Sequence, residues 1–163
     1  MSLNNIQLHP QLLVDLFGNV LVDLGSSPPR GVVYKCLGSN KKNILILVSK
    51  ENLAFLEDEE LRFLTNILAA CNLTIADVAL INDKNLPDPS TNYSPLVTFF
   101  SSKVILLFDV APESIGLPFH FPDFQIQQFD GRTYMSAPSL TQIKENKALK
   151  TSLWNALKNM FGL

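Results

Sequence analysis

Short runs of apolar residues alternate along this chain with longer amphipathic stretches. Three runs have the length and composition of strands that are covered on both faces: Asn43 to Val48 (NILILV), Ala76 to Asn82 (ADVALIN) and Lys103 to Asp109 (KVILLFD). Phe124 to Phe129 (FQIQQF) alternates more, which predicts a fourth strand. Gly31 to Lys35 is predicted as an edge strand.

Helices are predicted between and around these runs, at Pro10 to Val20, Glu57 to Cys71, Pro95 to Phe100 and Asn146 to Phe161. Paired prolines make Gly25 to Gly31 a loop, and a second polar, proline-rich loop is predicted from Asp83 to Ser94. The amide of Asn146 suits the cap of the last helix. The buried stripe of that helix is expected to contain Leu149, Leu153, Trp154, Leu157, Met160 and Phe161.

The alternation of strands with helices predicts an α/β fold. Right-handed crossovers place helices on both faces of a parallel sheet. We therefore expect residues 1–163 to form one domain, a three-layer α/β/α sandwich with a central, mostly parallel sheet of four to five strands. Function in such sheets lies beyond the carboxyl ends of the strands, here expected after Val48, Ile81, Phe108 and Phe129.

Charge and composition narrow the classes of function. The formal net charge is −2, so broad electrostatic binding to phosphates is not expected and any contact with DNA would be weak or indirect. Cys36 and Cys71 lie in apolar stretches without metal-ligand spacing and are interpreted as reduced core residues. No metal or cofactor is expected. The chain begins without a secretory signal and has no apolar run of the ~20 residues that a membrane span needs, which favours a cytoplasmic protein.

The predicted strand ends carry few candidates for chemistry. Asn82 ends the second strand, where its amide can either hydrogen-bond a base edge or cap the turn. Lys50 and Glu51 follow the first strand as an acid–base pair or a solvated loop. The chain has only His9 and His120 for histidine chemistry.

An aromatic segment follows the third strand. Phe119, His120 and Phe121 lie between two prolines. Their rings either fold back onto the core or form an apolar patch for a protein partner, since aromatic anchors dominate interface energetics.

The order of these segments resembles that of uracil-DNA glycosylases. Glu59 to Asn82 is similar to the family's helix, turn and strand, and Asn82 matches the asparagine that hydrogen-bonds the flipped-out pyrimidine. Tyr134 to Leu157 resembles the family's closing segment, a His-Pro-Ser turn followed by a helix with a basic residue and a tryptophan. The resemblance implies a glycosylase-like fold after Asn43.

The departures from the glycosylase pattern concern catalysis. Ala137, Pro138 and Ser139 stand where the family has His-Pro-Ser, and alanine cannot stabilise the charge on a leaving base. Residues 48–53 contain no glycine-rich motif with a water-activating group. Asn82, Ala137, Pro138 and Ser139 are thus interpreted as the remnant of a base pocket, without catalytic residues.

The closing segment resembles even more closely that of psi subunits of bacterial DNA polymerase III, which share the glycosylase-like fold without its catalysis. The pattern is carried by Pro138, Leu140, Thr141, Asn146, Lys150, Leu153 and Trp154. This resemblance implies a clamp-loader accessory subunit whose partners are clamp-loader or chi-like subunits.

Three hypotheses remain open from the sequence. The first is a non-catalytic, psi-like interaction subunit. The second is a divergent uracil-DNA glycosylase or other nucleic-acid hydrolase that uses Asn82 with Glu51 or Asp83. The third is a small-molecule binding domain, which an open polar pocket below Asn82 would favour.

Overall fold

The computed structural model describes residues 33–86 and 93–163. The predicted helix from Pro10 to Val20, the loop from Gly25 to Gly31 and residues 87–92 of the second predicted loop lie outside these ranges. The strands and helices are β1 (Ile44–Val48), α1 (Asp58–Ala70), β2 (Val78–Asn82), α2 (Tyr93–Phe99), β3 (Val104–Phe108), β4 (Ile126–Phe129), β5 (Arg132–Ala137), α3 (Leu140–Glu145) and α4 (Lys147–Phe161).

The five strands form one sheet in the order β2-β1-β3-β5-β4. β1, β2, β3 and β5 run parallel, and β4 pairs with β5 in the antiparallel direction. The α/β class and the mostly parallel sheet predicted from the sequence are confirmed.

Both faces of the sheet are apolar, because successive side chains of a strand point to opposite faces. On one face Ile44, Ile46 and Val48 of β1 pack with buried residues of α1, α3 and α4. On the other face Leu45 and Leu47 pack in a second cluster, which includes residues of α2. This two-sided burial explains why β1, β2 and β3 read as continuous apolar runs.

The fourth predicted strand is confirmed as a strand, but its expected place among the parallel strands is wrong. Residues 126–129 form the antiparallel edge strand β4, and a turn at Asp130 and Gly131 reverses the chain into β5. Both turn residues have positive φ, which a two-residue hairpin loop of type I′ requires. The carboxyl end of the fourth parallel strand is therefore Ala137 rather than Phe129.

The edge of the sheet next to β2 also differs from the prediction. Residues 33–35 form no strand, and Leu37 instead makes an isolated antiparallel bridge with Leu80 of β2. The chain then turns at Gly38, whose φ of +103° and close approach to the carbonyl oxygen of Val78 leave no room for a Cβ atom.

The two long helices begin and end within one residue of their predicted bounds. Asn146 caps α4 as predicted, because its Oδ1 accepts hydrogen bonds from the backbone of Ala148 and Leu149. The predicted stripe is wrong at Trp154, which is 36% exposed. α2 begins two residues before Pro95, which therefore lies in the first turn, where proline is tolerated.

Candidate functional site

The carboxyl ends of the four parallel strands meet at one edge of the sheet. Val48 is in register with Asn82 on one side and Phe108 on the other, and Phe108 is in register with Ala137. The backbone continues this pairing past β3, since the Asp109 amide donates to the Ala137 carbonyl oxygen. The glycosylase-like candidates Asn82 and Ala137 are thus brought to the same edge, with two strands between their own.

The Asn82 side chain is fully buried and makes four hydrogen bonds within the chain. Its Oδ1 accepts from the backbone N–H groups of Lys50 at 3.0 Å and Lys84 at 3.2 Å. Its Nδ2 donates to the carbonyl oxygens of Lys50 at 2.7 Å and Leu53 at 2.9 Å. A primary amide offers two donors and two acceptor positions, so its hydrogen-bonding capacity is fully used.

These contacts give Asn82 a structural role. The bond to the Lys84 amide caps the 3₁₀ turn Asp83–Asn85, as the turn-capping interpretation predicted. The other bonds hold the loop that follows β1 against the end of β2. Recognition of a base by this amide would require it to give up hydrogen bonds that it already makes in a buried setting.

Asp83 places a partly buried carboxyl group at this edge of the sheet. Burial raises the pKa of its carboxyl group above the usual value, and the negative charge of Asp109 adds to the rise. A hydrogen bond with Ser49 and the charge of Lys84 act in the opposite direction. Oδ1 of Asp83 is buried and has no hydrogen-bond partner among the described residues. Carboxyl groups with a raised pKa occur at functional sites and also in structural clusters.

The turn after β5 holds the other glycosylase-like candidates. Ala137 is buried and presents only a methyl group, and Pro138 is partly buried after it. Ser139 caps α3. Its hydroxyl oxygen accepts from the backbone N–H of Gln142, and its own backbone N–H donates to Oε1 of the Gln142 side chain. This reciprocal capping accounts for the turn as the start of a helix, and no further role is needed to explain it.

A cleft of about 570 Å³ opens beside this turn, at the ends of β3 and β5. Its polar lining includes Asp109, His120, Asp123, Ser136 and Gln142. Ser136 donates its hydroxyl to Asp123 at 3.1 Å, and His120 pairs through Nδ1 with exposed Glu113 at 2.7 Å. The hydroxyl and the imidazole are therefore engaged with different carboxylates, and the geometry does not link them as a nucleophile and its base.

The aromatic candidates lie mainly against the core. Phe121 is 3% exposed, and Phe119 packs against the rings of Phe121 and Phe129 with centroid distances of 5.6 and 5.1 Å. This is the packing that the core interpretation predicts. His120, at 72% side-chain exposure, is the part of this segment that faces solvent, and partner binding there stays a prediction.

A buried carboxylate at the start of α1 was not predicted from the sequence. Glu60 is 3% exposed, and its Oε1 accepts from Lys50 Nζ and from the Thr141 hydroxyl, each at 2.5 Å. Burial alone would raise the pKa of Glu60, but these hydrogen bonds and the charge of Lys50 outweigh it and lower the pKa. Lys50 therefore pairs with Glu60 rather than with Glu51, which is exposed and lies 3.4 Å from Lys84.

An apolar groove between α1 and α4 was also missed. Its walls include Phe63 and Ile67 of α1 and Leu153, Trp154 and Leu157 of α4, and its volume is about 230 Å³. The exposed tryptophan belongs to the helix whose stripe was predicted to be buried. When the apolar stripe of a helix is slightly wider than the surface it packs against, a residue at the edge of the stripe, here Trp154, stays partly exposed.

Known chemistry and known proteins add few constraints. Among the residues that the structure describes, no three His, Cys, Asp or Glu side chains are grouped so that they could hold a metal ion. In the same part of the chain no helix has both the length and the apolar character needed to cross a membrane. Cys36 and Cys71 are both free thiols.

No protein-family model matches this chain, and no curated protein matches it.

Proposed function

We propose that this protein is a binding subunit, built on a three-layer α/β/α sandwich of the uracil-DNA glycosylase kind. Apolar clusters on both faces of the sheet support the layered architecture. The observation that carries the proposal is at the strand ends. The Asn82 amide is fully engaged by Lys50, Leu53 and Lys84, and Ala137 offers no side-chain hydrogen bond.

The particular role that fits best is that of a psi-like subunit of the replication machinery. The residues that resemble psi subunits run from Pro138, just before α3, into α4, where Asn146 is the cap and Leu153 is buried. Its expected partners are clamp-loader or chi-like subunits. The net charge of −2 supports a role in which DNA is contacted through those partners.

An affinity purification from the protein's own cell extract tests this role. The tagged full chain is expected to recover clamp-loader or chi-like subunits, identified by mass spectrometry. Binding of a recovered subunit is then measured with the purified pair. Recovery without any replication subunit would contradict the assignment.

The alternative is a divergent uracil-DNA glycosylase or other nucleic-acid hydrolase. The observation that favours it is the partly buried carboxyl group of Asp83, whose pKa is raised and which follows Asn82 directly. The test is turnover of uracil-containing single- and double-stranded DNA by the wild type and by Asp83→Asn. Turnover that is lost in Asp83→Asn, with the fold retained, would establish the enzyme and remove the first proposal.

A further inference from the structure

The groove between α1 and α4 has an apolar floor and a basic rim. Leu153 and Leu157 are buried beneath it, while Trp154 stays 36% exposed. Lys150 Nζ lies 6.0 Å from the centroid of the Phe63 ring, and Lys158 Nζ lies 5.9 Å from that of Trp154. Each lysine is thus held over an aromatic wall of the groove.

The charge of this surface differs from that of the whole chain. α4 carries Lys147, Lys150 and Lys158 and no aspartate or glutamate, although the net charge of the chain is −2. Neither Lys150 nor Lys158 forms an ion pair with another residue in the described ranges. A positive rim whose lysines are not neutralised by ion pairs favours a negatively charged ligand.

We propose that this groove binds an acidic segment of a partner protein that inserts an apolar side chain between Phe63 and Trp154. Its Asp or Glu residues would pair with Lys150 and Lys158. The proposal gives the chemistry of the partner and rests on the interaction role proposed above. Amphipathic segments commonly dock in this way, with apolar anchors in a groove and charges at its rim.

Two other occupants of the groove fit the structure less well. The described chain begins at Val33, and the Tyr34 ring contacts Phe99 at 4.9 Å on the face of the sheet opposite to the groove. The described chain therefore begins on the face opposite to the groove. Single-stranded DNA needs free ring faces for stacking, whereas Lys158 lies over Trp154.

Trp154 is the only tryptophan in the chain, so its fluorescence reports on the groove. The probe is a synthetic amphipathic peptide of roughly 12 residues with Leu and Phe on one helical face and Asp and Glu on the other. We expect it to shift Trp154 emission to shorter wavelength, with binding that weakens as salt is added. A peptide with Asn and Gln in place of the acids is the matched control.

Charge reversal tests the rim. The double variant Lys150→Glu, Lys158→Glu in the full chain is expected to bind the acidic peptide roughly tenfold more weakly, because two exposed ion pairs are lost. The control is Lys147→Glu, an exposed change on the same helix at a lysine that neither lines the groove nor lies over one of the two rings. Circular dichroism verifies that all variants are folded.

Four outcomes would overturn the proposal. They are an unchanged Trp154 spectrum with the acidic peptide, equal binding of the neutral peptide, equal binding by the charge-reversed variant, and a stronger response to an oligothymidylate than to the peptide. A shift of Trp154 emission to longer wavelength in the double variant Leu16→Glu, Phe17→Glu, measured without peptide, would also overturn the proposal. It would show that the chain's own N-terminal segment occupies the groove.

The purification described above separates this inference from the proposed function. If the wild type and the Lys150→Glu, Lys158→Glu variant recover replication subunits equally, the function stands and the groove proposal fails. If neither recovers them while the acidic peptide still binds, the replication role fails and the groove proposal stands.

Discussion

Lys50 Nζ lies 2.5 Å from Oε1 of Glu60, and this contact joins the loop after β1 to the first turn of α1. Thr141 of α3 donates to the same oxygen, so a single buried carboxylate connects three elements. The other oxygen, Oε2, is buried without a hydrogen-bond partner in the described ranges. Glu60 therefore depends on Lys50 and Thr141 for compensation of a buried charge.

Loss of the lysine should consequently be costly. Lys50→Met leaves the buried Glu60 carboxylate without its cationic partner, and we expect the free energy of unfolding to fall by about 2 kcal/mol. Urea denaturation followed by circular dichroism measures it. Lys84→Met, which breaks an exposed pair with Glu51, is the control and should cause no resolvable change. Equal effects of the two substitutions would contradict a buried role for the Lys50 pair.

The Glu60 carboxylate should also shape the acid stability of the fold. Its pKa is lowered from 4.5 in the folded state, so its contribution to stability is present above that value and is lost as the pH falls through the folded-state pKa. Glu60→Gln should therefore show a shallower loss of stability than the wild type below about pH 4.5. Urea midpoints measured along a pH series test this, and parallel curves would disprove it.

Ionisation of Asp83 should affect the stability of the fold in the direction opposite to that of Glu60. Burial and Asp109 raise the pKa of its carboxyl group, so the folded state binds the proton more tightly than the unfolded state. Its ionisation therefore destabilises the fold above the folded-state pKa, and the loss is recovered as the pH falls through it. Asp83→Asn keeps an oxygen that can accept from Ser49, and we expect it to raise the urea midpoint at pH 7. A lower midpoint would show that the charge of Asp83 supports the fold.

Asn82 should be essential to the fold at the strand ends. Asn82→Ala leaves backbone groups of Lys50, Leu53 and Lys84 without their partner, and we expect a loss of about 3 kcal/mol or more in the free energy of unfolding. The control is Asn85→Ala, an exposed amide that also donates to the Leu53 carbonyl, with an expected loss below about 1 kcal/mol. A tolerated Asn82→Ala would point to a ligand role instead.

Trp154 should contribute much less to stability than its neighbour in the sequence. Leu153 is 2% exposed, so Leu153→Ala is expected to cost about 3 kcal/mol, whereas Trp154→Ala should cost about 1 kcal/mol or less. Thermal unfolding monitored by circular dichroism compares the two variants. A comparable loss from both would place Trp154 in the core and leave no open groove for a ligand.

Local patterns predicted much of the fold. β1, β2 and β3 were recognisable because both of their faces are buried, and α1 and α4 because their apolar residues recur at helical spacing. β5 was missed because Arg132, Thr133 and Ser136 interrupt its apolar residues. The Asp130-Gly131 pair was the available signal, since this dipeptide favours a tight hairpin.

The candidate site at the strand ends was harder to predict, because its contacts join residues that are far apart in the sequence. The position of Asn82 at a strand end was correct, but three of its four hydrogen bonds join it to Lys50 and Leu53, about thirty residues earlier in the chain. Glu60 was not singled out from the sequence. Its burial depends on Thr141, which packing of α3 against α1 brings to it.

The bridge between Leu37 and Leu80 has a consequence for self-association. β2 is the last strand on its side of the sheet, and the backbone of Leu37 exchanges two hydrogen bonds with Leu80 while Asn40 donates to Val78. These bonds occupy the edge groups to which a strand from another molecule would otherwise attach. Gly38 permits the turn that brings them there, so a side chain at this one position would expose these edge groups to pairing with a strand of another molecule.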